Sequence, residues 1–346
     1  MKTRCLMIAL VGCLVACLAA CDARADIVRK TTGTTIGTVD STSSLKVVVT
    51  EQSTLQTEIP VNEIVKIDFD GEPTSMKTAR AELLRGNYEG AVEALDKVQP
   101  NQLTRDVIRQ DFEFYKALCA AKLALGGTGE IKEAGGQMIA FAKANPNSYH
   151  YLEACEVVGD LLVAVGAYAP AVDYYGRLAK APWADYKMRA GVAIGRAQLA
   201  QNQMAEAARS FDAVIAINAQ GDLANAQRLA ATLGKARCLA AAEQHEEAIK
   251  MVESILARSD PEDVDLHARA YNTLGTALRK AGRDRDALLA FLHVDVLYFA
   301  LPEAHAEALA NLAELWDSMH KTERAVRARA ILEEQYRNSP WAKKAG

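Results

Sequence analysis

Aromatic residues, histidine and net charge are all in short supply. Phe, Trp and Tyr make up 6 % of the 346 residues, there are six histidines, and the formal charge is −4. A balance this close to neutral, with a pI near 6.0, lacks the basic face that nucleic acid requires. Catalytic signatures are lacking too. His245-Glu246 opens like a zinc-protease motif, but Ile249 stands where the second histidine is needed. Gly126-Gly127-Thr128-Gly129 is followed by no Gly-Lys-Ser/Thr, and Gly234-Lys235 runs into Ala236, so neither cradles a phosphate. G-x-S-x-G does not occur. The chain reads as no enzyme, with no cofactor and no metal.

Cysteine excludes a disulfide framework. Cys5, Cys13, Cys17 and Cys21 fall in the leading segment, which leaves Cys119, Cys155 and Cys238, an odd set without C-x-x-C spacing. They read as small apolar fillers, a Cys119–Cys155 bridge between adjacent repeats being the alternative. Beyond residue 25 no apolar run is long enough to span a bilayer. The residues up to that point form a targeting segment: Lys2 and Arg4 are basic, Leu6 to Ala20 is almost wholly apolar, and small residues come next. Residues 1–25 therefore read as an export signal, and the mature protein is expected in the periplasm or cell envelope. Ala23-Arg24-Ala25 before Asp26 offers an A-x-A cleavage site, whereas Leu18-Ala19-Ala20-Cys21 resembles the bacterial lipobox, which implies lipidation of Cys21. Membrane contact is expected only in the second case.

An apolar fraction of 50 % with 24 % charged residues is that of a packed globular chain. From Asp26 to Glu72 the period is two. Leu45, Val47 and Val49 share one face, as do Val65, Ile67 and Phe69, with Lys66 and Asp68 opposite. With Ile27-Val28, Thr35 to Val39 and Leu55 to Ile59 these make about five short strands. Gly33 and Gly37 suit a turn and a bulge, and Asp40 to Ser44 a loop. So many strands in so few residues bury a core only by curling. Ile59 to Asp70 resembles the strand, helical turn and strand that close SH3-like and Sm-like barrels, so residues 26–72 are expected to be a small β barrel. It serves either as a recognition module or as a cap on the first helical repeat.

At Met76 the period becomes helical. Small residues recur at Ala91, Ala134, Ala171, Ala207, Ala248, Ala287 and Ala325. Four positions on stand the fillers Leu95, Met138, Tyr175, Phe211, Val252 and Phe291, with Arg329 breaking the series. Gly159, Gly195 and Gly275 mark close contacts on the first helices, and Gly86, Gly129, Gly166 and Gly282 mark turns. A larger group at a close-contact position would force the helices apart, at about 1–3 kcal/mol. These residues, clearest from His267 to Ala300, resemble the tetratricopeptide repeat (TPR). The resemblance implies an all-α solenoid of about seven hairpins over residues 74–340, each burying its apolar stripe on its neighbours. Residues 341–346 are left as a tail. Leu332 to Ala345 resembles the tails of exported bacterial TPR proteins of the cell-envelope type, with Trp341 as an end cover.

TPR proteins that bind extended peptides line a concave groove with fixed first-helix positions. Carried over with Gly195, Ala236 and Gly275 as reference, those positions are Arg189 and Arg196 in the fourth repeat and Arg237 in the fifth. The sixth contributes Arg269, Asn272, Arg279 and Lys280. Glu153, Glu156 and Asp160 in the third and Glu307, Glu314 and Asp317 in the seventh flank this basic stripe. The expectation is an interaction scaffold whose groove takes a protein or peptide partner through acidic groups or a C-terminal carboxylate. The alternative is a lipid-anchored assembly or spacer protein acting through its outer surface.

Overall fold

The computed structural model describes residues 25–51, 55–260, 262–337 and 339–345. The expected export segment up to residue 24, Cys21 included, lies outside the described residues. Alternating apolar and polar residues produce strands β1 (Asp26–Lys30), β2 (Gly33–Thr42), β3 (Lys46–Glu51), β4 (Leu55–Pro60) and β5 (Ile64–Asp68), antiparallel in the order β4-β3-β2-β1-β5. Successive side chains alternate across a strand, and Val28, Val39, Val47, Val49, Ile59 and Ile67 all fall on the buried side. A 3-10 turn, Val61–Glu63, joins β4 to β5. It is pinned at both ends: Val61 N–H donates to Leu45 O at 3.0 Å and Thr31 N–H to Glu63 O at 2.9 Å. The turn links β4 and β5, the two outer strands of the sheet, which do not pair with each other among the described residues.

Local expectations change here. Val65 is 53 % exposed, because the β1–β5 register shifts between Arg29 and Lys30 and turns it out of the inward series. Leu45 is exposed as well, lying in the turn before β3. Gly37 is no bulge. It pairs regularly with Asp26, and a Cβ there would stand 2.4 Å from Thr50 O; the register shift lies between Val39 and Ser41. β2 continues through residue 42, so the expected loop shrinks to residues 43–45.

Helical hairpins come next: α1 (Thr74–Leu84) with α2 (Tyr88–Leu95), α3 (Asp106–Leu125) with α4 (Ile131–Ala144), α5 (Tyr151–Ala164) with α6 (Tyr168–Ala179), and α7 (Ala184–Ala200) with α8 (Met204–Ile215). Then come α9 (Asp222–Ala241) with α10 (His245–Leu256), α11 (Val264–Lys280) with α12 (Asp284–Leu297), and α13 (Pro302–Ser318) with α14 (Thr322–Gln335), followed by the short α15 (Pro340–Ala345). Every recurring alanine is buried, and the fillers from Leu95 to Phe291 are almost inaccessible. The pairing is steric. A Cβ on Gly159 would stand 2.3 Å from the Tyr175 ring, on Gly195 2.6 Å from Phe211 and on Gly275 2.7 Å from Phe291. Phe211 also fills the space left by Gly234 of the next hairpin, 2.2 Å from its would-be Cβ.

Hairpin turns need one residue in the left-handed region, which glycine adopts freely. Gly86, Gly166 and Gly282 supply it, with φ of 75°, 78° and 74°. The equivalent turns before α8, α10 and α14 use Asn202, Glu243 and His320, which the sequence pattern does not reveal. In the last hairpin Arg329 takes the filler position and reaches Asp317, while Leu332 is buried and Trp341 packs against the last cluster. The three cysteines beyond the leading segment are buried and free, so no Cys119–Cys155 bridge forms.

The sheet is fused to the helices by buried charge. Its inward side chains and those of α1 to α5 form one apolar cluster. Asp26, 1 % exposed, accepts hydrogen bonds from Val39 N–H at 2.7 Å, Asp70 N–H at 2.8 Å and both Arg105 guanidinium nitrogens at 2.6 and 2.8 Å. Arg80 of α1 donates to Ile67 O, to Glu72 and to Asp68, the last at 3.1 Å. Its Nε lies 3.8 Å from Asp111, which accepts from Tyr149 and sits 2.8 Å from His150 Nε2. Burial alone would lower the pKa of His150; its hydrogen bonds to Asp111 and Glu153 outweigh that and raise it.

Candidate functional site: the concave face

The first helices of the third to sixth hairpins share one face of the stack. α5, α7, α9 and α11 together line a hollow of about 270 Å³. The stack turns tightly. A Cβ on Gly127, in the α3–α4 connection, would stand 3.0 Å from Gln335 O at the end of α14, so the second hairpin meets the seventh.

Among the expected site residues, Arg189, Arg196 and Arg269 come together in the hollow, with Glu156, Asp160, Asp263 and Asp265 among them and Val192, Leu233 and Leu266 as apolar wall. Arg189 is half-buried over the Tyr186 ring, 5.0 Å from its centroid, and binds Glu156 through Nε at 3.3 Å and through its other fork nitrogen. Arg269 donates to both Asp265 oxygens at 3.0 Å and to Glu303 of α13 at 3.1 Å. That pairing lowers the pKa of Glu303, Arg269 being the main cause. The remaining expected residues lie elsewhere. Arg237 pairs with Glu307 of α13, Arg279 with Glu314 at 2.6 Å, and Asn272 is buried with its amide donating to Ala304 O at 2.8 Å. Lys280 is exposed at the end of α11.

The inward arginines are therefore crossed by carboxylates from neighbouring hairpins. Glu156 and Glu307 belong to the flanking acids read from the sequence; Asp263, Asp265 and Glu303 do not, and only the signal of an acid near the start of a helix marks them. Arg196 is different. Among the described residues no hydrogen bond or ion pair involves it, although it opens to solvent through the mouth of the hollow. Its side chain is exposed; desolvation by the nearby walls, and then Arg269, hold its pKa below the usual arginine value against the opposite pull of Glu303, Asp265 and Asp160. Asp160 accepts one bond, from Tyr175 OH at 2.8 Å. Burial, with Glu156 adding to it, raises its pKa to about 6. Among the described residues no group of three or more His, Cys, Asp or Glu side chains could hold a metal.

Fold and concave face define a TPR-type helical superhelix carrying a small N-terminal five-stranded sheet. No protein-family model matches the chain, and no curated protein matches it. Solved structures do. A tetratricopeptide repeat protein from Parabacteroides merdae aligns with TM-score 0.55 at 15 % identity, over 79 % of this chain and 96 % of that one. A Rap protein complexed with Competence and Sporulation Factor aligns with TM-score 0.55 at 13 % identity, over 78 % and 75 %. Likeness at these identities is likeness of fold.

Proposed function

We propose that the protein is a non-catalytic interaction scaffold of the bacterial cell envelope, which holds a peptide or protein partner in its concave face through the partner's acidic groups or C-terminal carboxylate. The observation that carries this is Arg196, a guanidinium without an internal partner inside a hollow whose other arginines are already paired. A carboxylate there would be met by a fork of paired donors. The Rap protein, of the same fold, was solved with a separate factor bound. Replacing Arg196 and Arg269 together by Glu should abolish capture of the envelope partner by the wild-type protein, with thermal unfolding as a check that the hairpins remain folded. Undiminished capture by a folded variant would refute the reading.

A second reading is a lipid-anchored assembly or spacer factor, favoured by the Leu18-Ala19-Ala20-Cys21 run. Asp26 is locked into the sheet, so an acylated Cys21 would have only residues 22–25 as tether, roughly 15 Å fully extended. The sheet would then be held against the membrane face. Intact mass of protein from washed membranes and from soluble periplasm separates the two: a start at Asp26 supports the diffusible scaffold, and an acylated start at Cys21 the anchored one.

A further inference from the structure

The sheet meets the α4–α5 connection where Thr42 Oγ1 of β2 donates to Asn147 O at 3.1 Å. Just beyond, His150 enters α5 with 5 % of its surface exposed, among aromatic rings. Phe114 stacks on the imidazole at 3.8 Å between centroids and 12° between planes, and Tyr149 lies at 3.9 Å. Nε2 stands 2.8 Å from Asp111 Oδ1, and Nδ1 stands 3.9 Å from Glu153. We infer that His150 makes this corner of the joint between sheet and solenoid pH-sensitive: tight while the imidazole holds its second proton, looser once that proton has gone.

Asp111 is wholly buried, and a buried carboxylate is costly without an opposite charge beside it. Arg80 of α1 serves it poorly. The fork nitrogens of Arg80 go to Ile67 O, Asp68 and Glu72, and its Nε stays 3.8 Å from Asp111 Oδ2, which accepts no hydrogen bond. Tyr149 donates to Asp111 but is neutral; burial holds its hydroxyl and that of Tyr115 well above the usual tyrosine range. The imidazolium is therefore the counter-charge of Asp111, and the ring faces of Phe114 and Tyr149 favour a cation between them. A neutral ring keeps its Nε2–H bond to Asp111 yet supplies no charge. Glu153 adds to the preference, although it also faces Arg189 of α7 and Lys122 of α3. Burial alone would push the His150 pKa down; Asp111 and Glu153 outweigh it and hold it above the ordinary histidine value. The folded chain thus binds this proton more tightly than the unfolded chain. Its contribution is whole below about pH 6.5 and is lost as pH rises through the folded-state value.

Two measurements on the mature chain test this. Proton NMR of the histidine rings should place the His150 midpoint above about 6.5, its signal being the one missing from His150→Gln, and Asp111→Asn, which keeps an acceptor for Tyr149 but removes the charge, should lower that midpoint. Hydrogen-exchange protection at residues 39–42 and 147–154, corrected for the intrinsic pH dependence of exchange, should fall between about pH 6 and about pH 9, by about tenfold for each pH unit separating the folded and unfolded titrations. In His150→Gln it should stay level. A His150 midpoint at or below about 6.5 in the wild type would overturn the inference whether or not the variants fold. Protection that stays level with pH in the wild type, or an equal fall in folded His150→Gln, would overturn it as well.

Discussion

Arg80 tests how the sheet is attached to the solenoid. Its side chain is 3 % exposed and its ion-pair partner Glu72 is fully inaccessible. Asp68 lies at 3.1 Å, Asp111 at 3.8 Å, and the Ile67 carbonyl accepts another of its donors. Arg80→Met keeps much of the apolar stem but leaves the Glu72 carboxylate buried without a counterion, and removing one member of such a pair costs about 3–5 kcal/mol. Against a total stability of about 5–15 kcal/mol that is a large share. Urea unfolding followed by circular dichroism should show the midpoint falling accordingly, and hydrogen exchange should accelerate first in β5 and α1, the elements Arg80 joins. Arg80→Met combined with Glu72→Met should recover part of the loss, because the Glu72 carboxylate is gone while Asp111 keeps Tyr149 and His150 and Asp68 keeps Lys66. A single-variant loss below about 1 kcal/mol, or a double variant that merely adds the two losses, would refute the claim that this pairing fastens the sheet.

Glycine substitutions should separate contact positions from open ones. Gly159→Ala, whose Cβ would stand 2.3 Å from the Tyr175 ring, should lose about 1–3 kcal/mol, while Gly135→Ala, a helical site with no heavy atom within 4 Å, should gain about 0.5–1 kcal/mol, both read by urea titration. Asp160→Asn should stabilise the protein at pH 7 and do nothing below pH 4. The folded-state pKa of about 6 lies above that of the unfolded chain, so the folded state binds the proton more tightly and stability falls as pH rises through the window between them; melting curves across that range check the sign. The groups facing Asp160 are Glu156, Tyr175, Lys122, Arg196 and Glu303, and none is altered by the substitution. Cys119, Cys155 and Cys238 are buried, with burial raising the Cys119 thiol to about 12, so all three should resist thiol reagents in native buffer and react on addition of denaturant, counted by mass spectrometry.

The helical part of the fold is legible because packing two helices closely constrains residue size at fixed offsets. The recurring alanines, their fillers and glycines such as Gly275 report this through local spacing, without any knowledge of distant contacts. Strand existence is legible for a similar reason, as alternation is a property of a few consecutive residues. What fails is whatever depends on a partner far along the chain. Val65 alternates correctly but is turned outward by the β1–β5 register shift, and Gly37 is demanded by the Thr50 carbonyl on another strand. Glu243 and His320 enter left-handed turns that hairpin geometry imposes where no glycine marks them.

For the concave face the division is sharper. Helical offsets alone determine that Arg189, Arg196 and Arg269 point inward, since side-chain direction is set by position on a first helix. Tertiary structure decides which of them remain available. Superhelical curvature carries Glu156 to Arg189, Glu303 to Arg269 and Glu307 to Arg237, the last pair 70 residues apart, and leaves Arg196 unmatched. Charge pairing depends on distances between hairpins, and those are set by the accumulated rotation of the whole stack, a quantity that no single repeat encodes.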